Sequence, residues 1–245
     1  IGTTVASALM EAGRALPSTR DGLPDLPLPG NQVAWHLENH RFVDWLENAC
    51  DERGVLRREG EVDGVIRRED EGIDSLLLKT GEKLEADLFV DASGFLSRLL
   101  GDALEEPRYD FSNALFCNRA LVGGWEREPG EPILSYTLSD TMNAGWAWRI
   151  DHPERVNRGY VFNSELIDDD EAGQEFREAN PKLEDLRVVK FKPGRYRRAW
   201  VGNVAALGNA YGFVEPLEAT AIMCICLQSR WLADSFAESL GKPPE

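Results

Sequence analysis

Basic side chains are scarce in this sequence, and lysine and histidine are the scarcest of them. Its 245 residues include six lysines and three histidines, and 43 Asp and Glu against 27 Lys and Arg give a formal net charge of −16. An acidic surface of this kind repels nucleic-acid phosphates, so we expect no nucleic-acid partner. Because salt screens the repulsion between like charges, we hypothesise that this acidic protein works in a high-salt cytoplasm.

Cysteine is also sparse, and its pattern argues against a metal centre. The four cysteines are Cys50, Cys117, Cys224 and Cys226. Cys224 and Cys226 form a Cys-x-Cys pair, but no second pair lies near it to complete a tetrahedral zinc site. Small buried thiols in a cytoplasmic protein are the favoured interpretation, so we predict no metal site.

Long apolar runs and a secretory leader are absent as well. No stretch reaches the roughly 18 consecutive apolar residues that cross a bilayer, and no basic segment followed by an apolar one indicates a signal peptide. Hydrophobic residues make up 42% of the chain and aromatics 9%, which is typical of a folded protein with a core. The sequence therefore predicts a globular protein that spans no membrane, with one large domain or two intertwined ones.

Hydrophobic periodicity predicts a mixed α/β architecture. Helical spacing of apolar residues predicts helices over residues 1–16, from about 39 to Gly54, over 165–185 and from about Glu218 to Leu240. Strand patterns predict strands within residues 55–91, within 114–164, in a hairpin turning at Pro193 and Gly194, and in the apolar segment 204–208. Two short apolar strands, ending near Asp91 and Gly208, lead into glycine-rich turns, where ligands of open α/β sheets bind.

The stretch GFVEPLEATAIM, residues 212 to 223, places two glutamates at the start of an apolar helix. Glu215 precedes a proline and is disfavoured in the helical conformation, whereas Pro216 suits the first helical position. One interpretation is capping, in which Glu215 accepts from the free first amides of the helix and Glu218 complements its dipole. The other is an anion or cofactor site, which nearby glycines would let a ligand approach.

Four segments resemble the flavin-dependent tryptophan halogenase family and occur in its order and at its distances. They are EADLFVDASGF (85–95), MNAGWAWRI (142–150), FKPGRYRRAWVGN (191–203) and FVEPLEATA (213–221). The Trp-x-Trp-x-Ile element is fairly specific, whereas Asp-x-Ser-Gly is shared by many flavoproteins. A further segment, NQVAWHLENHRFVDWL (31–46), resembles the segment ahead of the family's middle helix, so the resemblance covers roughly residues 31 to 240.

The resemblance implies an α/β fold, with an FAD/NAD(P)-binding domain of the glutathione reductase or monooxygenase type and an interleaved mixed β-sheet that carries the substrate. It assigns residues 31–113 and 199–240 to the FAD-binding part, and 114–198 to the substrate layer. It also implies the reaction, in which a flavin hydroperoxide oxidises a halide ion and the product halogenates an indole or other aromatic substrate. FAD would arrive in reduced form from a separate flavin reductase.

The resemblance further implies roles for particular residues. Cofactor contacts fall at Asp91, Gly94, Gly208, Gly212 and Pro216, the halide site falls at Thr220 and Ala221, and the signature residues are Trp146, Trp148 and Ile150. Glu218 takes the catalytic position, where it would accept hydrogen bonds from the substrate or stabilise positive charge on the attacked ring. Trp146 and Trp148 alternate and so share one face of a strand; sheet packing accounts for them as well as a substrate wall does.

The chain departs from the family pattern in three respects. No Gly-x-Gly-x-x-Gly turn for the FAD pyrophosphate is present, and the family's lysine is missing, since no lysine precedes Lys79. Both would lie before Ile1, where the chain starts without methionine, so we expect an N-terminally truncated chain. Asp151 stands where the family has proline, and Ala221 where it has glycine. These changes leave two alternatives open: a flavin-dependent monooxygenase without a halide step, and an inactive truncated remnant.

Overall fold

The computed structural model describes residues 36–134 and 136–240, together with 18–20, 23–25 and positions 8, 10 and 12. The predicted helix over residues 1–16 therefore lies outside the described residues except at three positions. In the described ranges, helix α1 spans Asn39–Glu52, α2 spans Asp169–Ala179 and α3 spans Ala221–Leu240. No helix in these ranges is both long and apolar enough to cross a bilayer.

The strands are short and are numbered in chain order. They are β1 (Ser18–Arg20), β2 (Leu23–Asp25), β3 (Val62–Arg67), β4 (Ile73–Leu78), β5 (Lys83–Glu85), β6 (Phe89–Asp91), β7 (Arg108–Asp110), β8 (Arg119–Glu126), β9 (Leu138–Met142), β10 (Gly145–Asp151), β11 (Arg155–Phe162), β12 (Arg187–Lys190), β13 (Gly194–Tyr196), β14 (Trp200–Val201), β15 (Val204–Ala206) and β16 (Gly212–Phe213).

The chain folds into two compact units, and each combines two separate stretches of sequence. The first unit contains the described residues up to Leu56 together with Asn118–Lys190, and the second contains Arg57–Cys117 together with the described residues from Phe191 onward. Helices together with antiparallel sheets and one mixed sheet in the described residues make this an α/β protein. The predicted division into an FAD-binding part and a substrate layer stays a prediction.

The first unit is built on an antiparallel sheet with strand order β12-β8-β11-β10-β9. Its core lies on one face, where Ala147, Tyr160 and Phe162 pack against Phe176 of α2. The helix begins where Asp168 accepts hydrogen bonds from the Asp170 and Glu171 amides and Glu171 reaches back to it, a reciprocal capping box. Of the predicted helix over 165–185, only Asp169–Ala179 is helical.

The second unit contains a mixed sheet in which β15 pairs antiparallel with β14 and parallel with β6. Asp91 and Ala206 are partners in the parallel pair, so the carboxyl ends of β6 and β15 lie side by side. The strands contribute to two hydrophobic clusters, one formed by Ile73, Phe89, Leu99 and Val204 and the other by Leu100, Val201, Ala206 and Ala210. The middle residue of β6, Val90, is exposed. The prediction of a buried strand ending in a glycine-rich turn is confirmed for β15, whereas β6 is buried only at Phe89 and Asp91.

The predicted hairpin at Pro193 and Gly194 is wrong. Its first arm, β12, is an edge strand paired with β8 in the first unit, whereas β13 pairs with β7 and β16 in the second. A Cβ on Gly194 would lie 2.3 Å from the Tyr109 carbonyl oxygen. The glycine therefore permits close approach of two strands, and this tertiary pairing outweighs the local turn signal.

Candidate active site

Asp91 lies at the end of β6, and its carboxylate is bound entirely within the protein. One oxygen accepts from the Ser93 amide at 3.1 Å and hydroxyl at 2.6 Å, and the other accepts from the Leu99 and Leu100 amides at 2.8 and 2.9 Å. The residue is 1% exposed. Asp91 therefore anchors the turn after β6 and caps the helical turn Arg98–Ala103. A ligand that binds at this strand end would meet the backbone of the turn.

The two glycine turns at the strand ends contact each other. Gly94 and Gly208 open the single turns Gly94–Leu96 and Gly208–Ala210, which lie in contact. Gly94 has φ +69°, and nothing lies within 4 Å of the position its Cβ would take. Backbone this open lets a ligand approach closely.

Gly208 and Gly212 are glycines for reasons of packing. A Cβ on Gly208, which has φ +57°, would lie 3.0 Å from the Ile225 side chain of α3. A Cβ on Gly212 would lie 2.6 Å from the Cβ of Arg195 on the neighbouring strand β13. These two glycines therefore bring the turn after β15 against α3 and β13.

The segment from Glu215 to Ala221 does not begin the helix as predicted. Pro216–Glu218 forms a separate 3₁₀ turn, Ala219 adopts a left-handed conformation with φ +51°, and α3 begins only at Ala221. The Ala219 amide, expected to be free, donates to the Pro216 carbonyl at 2.9 Å. The free amides of this helix therefore begin later than the sequence predicted.

Glu215 makes no capping hydrogen bond to the 3₁₀ turn that follows it. The thiol of buried Cys117 donates to its carboxylate instead, and burial together with the charge of Glu215 raises the pKa of Cys117 to about 12. The capping interpretation of Glu215 is therefore wrong for its side chain. Sequence reasoning missed this contact, because no local pattern links Cys117 to a residue so far along the chain.

Glu218, Thr220 and Ala221 stand at the exposed end of α3. Glu218 and Ala221 are exposed and Thr220 is half-buried. The Thr220 carbonyl accepts from the Cys224 amide at 2.9 Å, which joins the residue to the first helical turn. The first amides of α3 have no partner within the helix and carry its positive dipole end, an environment that favours an anion.

Trp146, Trp148 and Ile150 belong to the first unit and are half-buried on β10. Ala147 lies in the core beneath α2, so its alternating neighbours point to the opposite face of the sheet. The ring of Trp148 packs on Gly159, where a Cβ would lie 2.3 Å from the ring. This contact accounts for part of the Trp-x-Trp pattern by sheet packing.

Asp151, which follows the signature residues, binds an ion network at the end of β10. Its carboxylate accepts from Arg149 at 2.7 Å, the Leu134 amide at 3.0 Å and Arg127 at 3.2 Å. Burial alone would raise the pKa of Asp151, but the Arg149 hydrogen bond and the Leu134 amide outweigh it and hold the pKa below its usual range. Asp151 therefore works as a charged anchor of the sheet, a role no sequence pattern indicated.

Comparison with known proteins identifies the family. The model of the tryptophan halogenase family matches residues 2–245. This chain belongs to that family. It is 37% identical to tryptophan 7-halogenase RebH of Lentzea aerocolonigenes, and the match covers 88% of this chain and 42% of the relative. It is also 37% identical to tryptophan 6-halogenase ThaL of Streptomyces albogriseolus, where the match covers 84% of this chain and 40% of the relative.

Solved structures of tryptophan halogenase relatives share the fold. The chain superimposes on the flavin-dependent halogenase Xcc4156 of Xanthomonas campestris with a TM-score of 0.83 and 32% identity, covering 94% of this chain and 45% of that one. BrvH, a flavin-dependent halogenase from Brevundimonas, gives a TM-score of 0.82 and 32% identity over 94% and 47%. The chain thus spans less than half the length of the family members it matches.

Proposed function

We propose that this chain is part of an FAD-dependent halogenase that acts on an indole or another electron-rich aromatic. One observation carries the proposal: in a chain of the tryptophan halogenase family, the two glycine turns contact each other at the carboxyl ends of β6 and β15. Ligands of α/β sheets bind at such strand ends. The second unit would then belong to an FAD-binding domain of the glutathione reductase or monooxygenase type.

The residues of the second unit fit one side of a flavin site. Open backbone at Gly94 would let a ligand approach the turn after β6 and the adjoining turn at Gly208, whereas the buried carboxylate of Asp91 is occupied in holding its turn. Asp91 would therefore contribute to FAD binding by positioning the backbone of its turn. Gly212 and Pro216 would contribute by shaping the loop that precedes α3. FAD, received in reduced form from a separate flavin reductase in the cytoplasm, would pass its electrons to oxygen, and oxygen would supply the oxidising equivalents that activate halide.

The start of α3 would bind the halide and the substrate end of the site. The Thr220 hydroxyl and the Ala221 amide would bind the anion, supported by the positive end of the helix dipole. Glu218 is exposed, whereas Asp91 is buried and its carboxylate is bound by the turn after β6. Its carboxylate would accept a hydrogen bond from an indole N–H and stabilise positive charge on the attacked ring. Trp146, Trp148 and Ile150 would contribute to the substrate layer.

Product mass tests this function. The full natural polypeptide is supplied with FAD, a flavin reductase with NADH, oxygen and bromide, and is incubated with tryptophan or with indole. We expect a product in which one bromine replaces one hydrogen. A product that gains oxygen and no bromine would favour the monooxygenase alternative, and a protein that stays colourless after incubation with FAD would favour the inactive remnant.

Substitution of Glu218 tests the assigned role. Glu218→Gln should lower kcat for bromination by about 100-fold, the usual effect of losing one acid–base or electrostatic group, with FAD binding unchanged. Glu238→Gln is the matched control, because Glu238 is exposed near the far end of the same helix. Equal activity in the two variants would remove Glu218 from the mechanism.

A further inference from the structure

Gln228 connects helix α3 to the turn that follows β15. Its side-chain Oε1 accepts a hydrogen bond from the Gly208 amide at 2.8 Å. Gly208 has φ +57°, and the helix packs so closely there that a Cβ would lie 3.0 Å from Ile225. Helix α3 therefore contacts this turn at two points, Ile225 by packing and Gln228 by a directed hydrogen bond.

Other hydrogen bonds of the turn stay within its own layer, which consists of β6, β15 and the turns that follow these two strands. The Leu207 amide donates to the Asp91 carbonyl at 2.9 Å, and the Tyr211 amide donates to the Gly208 carbonyl at 3.0 Å. The Ser97 hydroxyl donates to the Ala210 carbonyl at 2.7 Å. Gln228 thus satisfies a donor of the turn from outside that layer, and it fixes the orientation of the peptide at which the turn begins.

We propose that Gln228 is a positioning residue of the flavin site, which acts through Gly208. The inference rests on the proposed function, since it assigns Gly208 to the FAD-binding turn. Ala221 begins the helix that carries Gln228, and the Thr220 carbonyl is bound to the first turn of that helix, so one element sets both the flavin turn and the halide segment. Loss of the acceptor leaves the Gly208 amide unpaired, and the turn gains freedom that FAD binding must then remove.

Gln228→Met removes the acceptor and keeps the length of the side chain, whereas Gln228→Glu keeps an acceptor oxygen. FAD affinity is measured by flavin fluorescence with the full natural polypeptide. Exchange of the Gly208 amide is measured by NMR without flavin. We expect Gln228→Met to weaken FAD binding by about tenfold and to speed Gly208 exchange by about tenfold, since an unpaired donor costs on that order. Gln228→Glu should restore both.

Gln174→Met is the matched control, because Gln174 lies on α2 of the first unit and donates to Glu178 at an exposed position. It should change neither FAD affinity nor the exchange of the Gly208 amide.

If Gln228→Met fails to fold, Gln228→Ser, whose side chain is too short to reach Gly208, takes its place. Unchanged FAD affinity in the loss variant, or failure of Gln228→Glu to rescue it, overturns the inference. If the wild-type protein binds no FAD, the proposed function is refuted instead. Faster exchange of the Gly208 amide in Gln228→Met would then show that its hydrogen bond to Gln228 has a structural role only.

Discussion

Among the described residues, three acidic side chains are buried: Asp91, Glu106 and Asp151. Each carboxylate accepts several hydrogen bonds. Glu106 accepts from the Arg198 guanidinium at 2.7 Å and from the Arg198 amide at 3.0 Å. A buried carboxylate without such partners would cost several kcal/mol. These three acids therefore hold loops and strand ends. Glu218 differs because it is exposed, which leaves its carboxylate accessible to a substrate.

The thiol of Cys117 yields a prediction about pH. Burial and Glu215 raise its pKa to about 12, whereas Cys224 and Cys226 are exposed. Because only the thiolate reacts, Cys117 in the folded protein should be alkylated by iodoacetamide at about pH 8 roughly 1,000-fold more slowly than an ordinary thiol. Peptide mass spectrometry after timed alkylation measures this rate.

Glu215→Gln separates the two causes of the raised Cys117 pKa, which are burial and the carboxylate of Glu215. Removal of the carboxylate should speed alkylation of Cys117, while burial, the larger cause, keeps it slower than the exposed cysteines. Rates at Cys224 and Cys226 should not change. Equal rates at all three cysteines in the folded wild type would contradict the burial of Cys117, and an unchanged Cys117 rate in Glu215→Gln would contradict its hydrogen bond to Glu215.

At the scale of elements, strong local signals were enough to predict structure. The acidic start of α2 contains its own capping box, and the strand-like segment 114–164 contains the antiparallel strands β8 to β11. The hairpin at Gly194 failed because partners far along the chain decide where β12 and β13 pair. The start of α3 was placed too early, since Ala219 leaves the right-handed region although its sequence context favours a helix.

Ala219 offers a test of where α3 begins. A non-glycine residue in the left-handed region costs about 1 kcal/mol, and Ala219 has φ +51°. We therefore expect Ala219→Gly to raise the free energy of unfolding by about 0.5–1 kcal/mol, as measured by urea denaturation.

Ala233→Gly provides the control, because Ala233 lies inside α3. There the same substitution should lower the free energy of unfolding by about 1 kcal/mol. If both substitutions destabilise the protein to the same extent, Ala219 lies in the helix and the predicted earlier start is correct.

At the scale of the whole molecule, sequence and resemblance located the candidate site only in part. The placement of Gly94 and Gly208 in turns could be predicted because each follows a short apolar strand, whereas their role in binding FAD stays a prediction. Gln228 and Cys117 could not, since each acts on a residue 20 or more positions away through a single side-chain contact. Both units also combine two separate stretches of chain, so neither could be delimited from a continuous pattern.

The charge of −16 is a property of the whole chain and leads to a prediction about salt. Acidic side chains repel one another in the compact state, and salt screens them. The melting temperature should rise by about 5 °C between low salt and 1 M potassium acetate, which corresponds to roughly 1–2 kcal/mol in a protein of this size. Acetate replaces chloride because a bound halide would stabilise the fold by mass action and mimic screening.

A variant with fewer acids distinguishes screening from a general effect of salt. The exposed residues Glu52, Glu59, Asp63 and Glu85 are changed to their amides. This variant should melt higher than the wild type at low salt and gain less from added acetate, because less repulsion is left to screen. A wild-type melting temperature that does not rise would refute the high-salt hypothesis. A rise of equal size in both proteins would assign the stabilisation to exclusion of the salt from the protein surface, for which the acidic charge is not required.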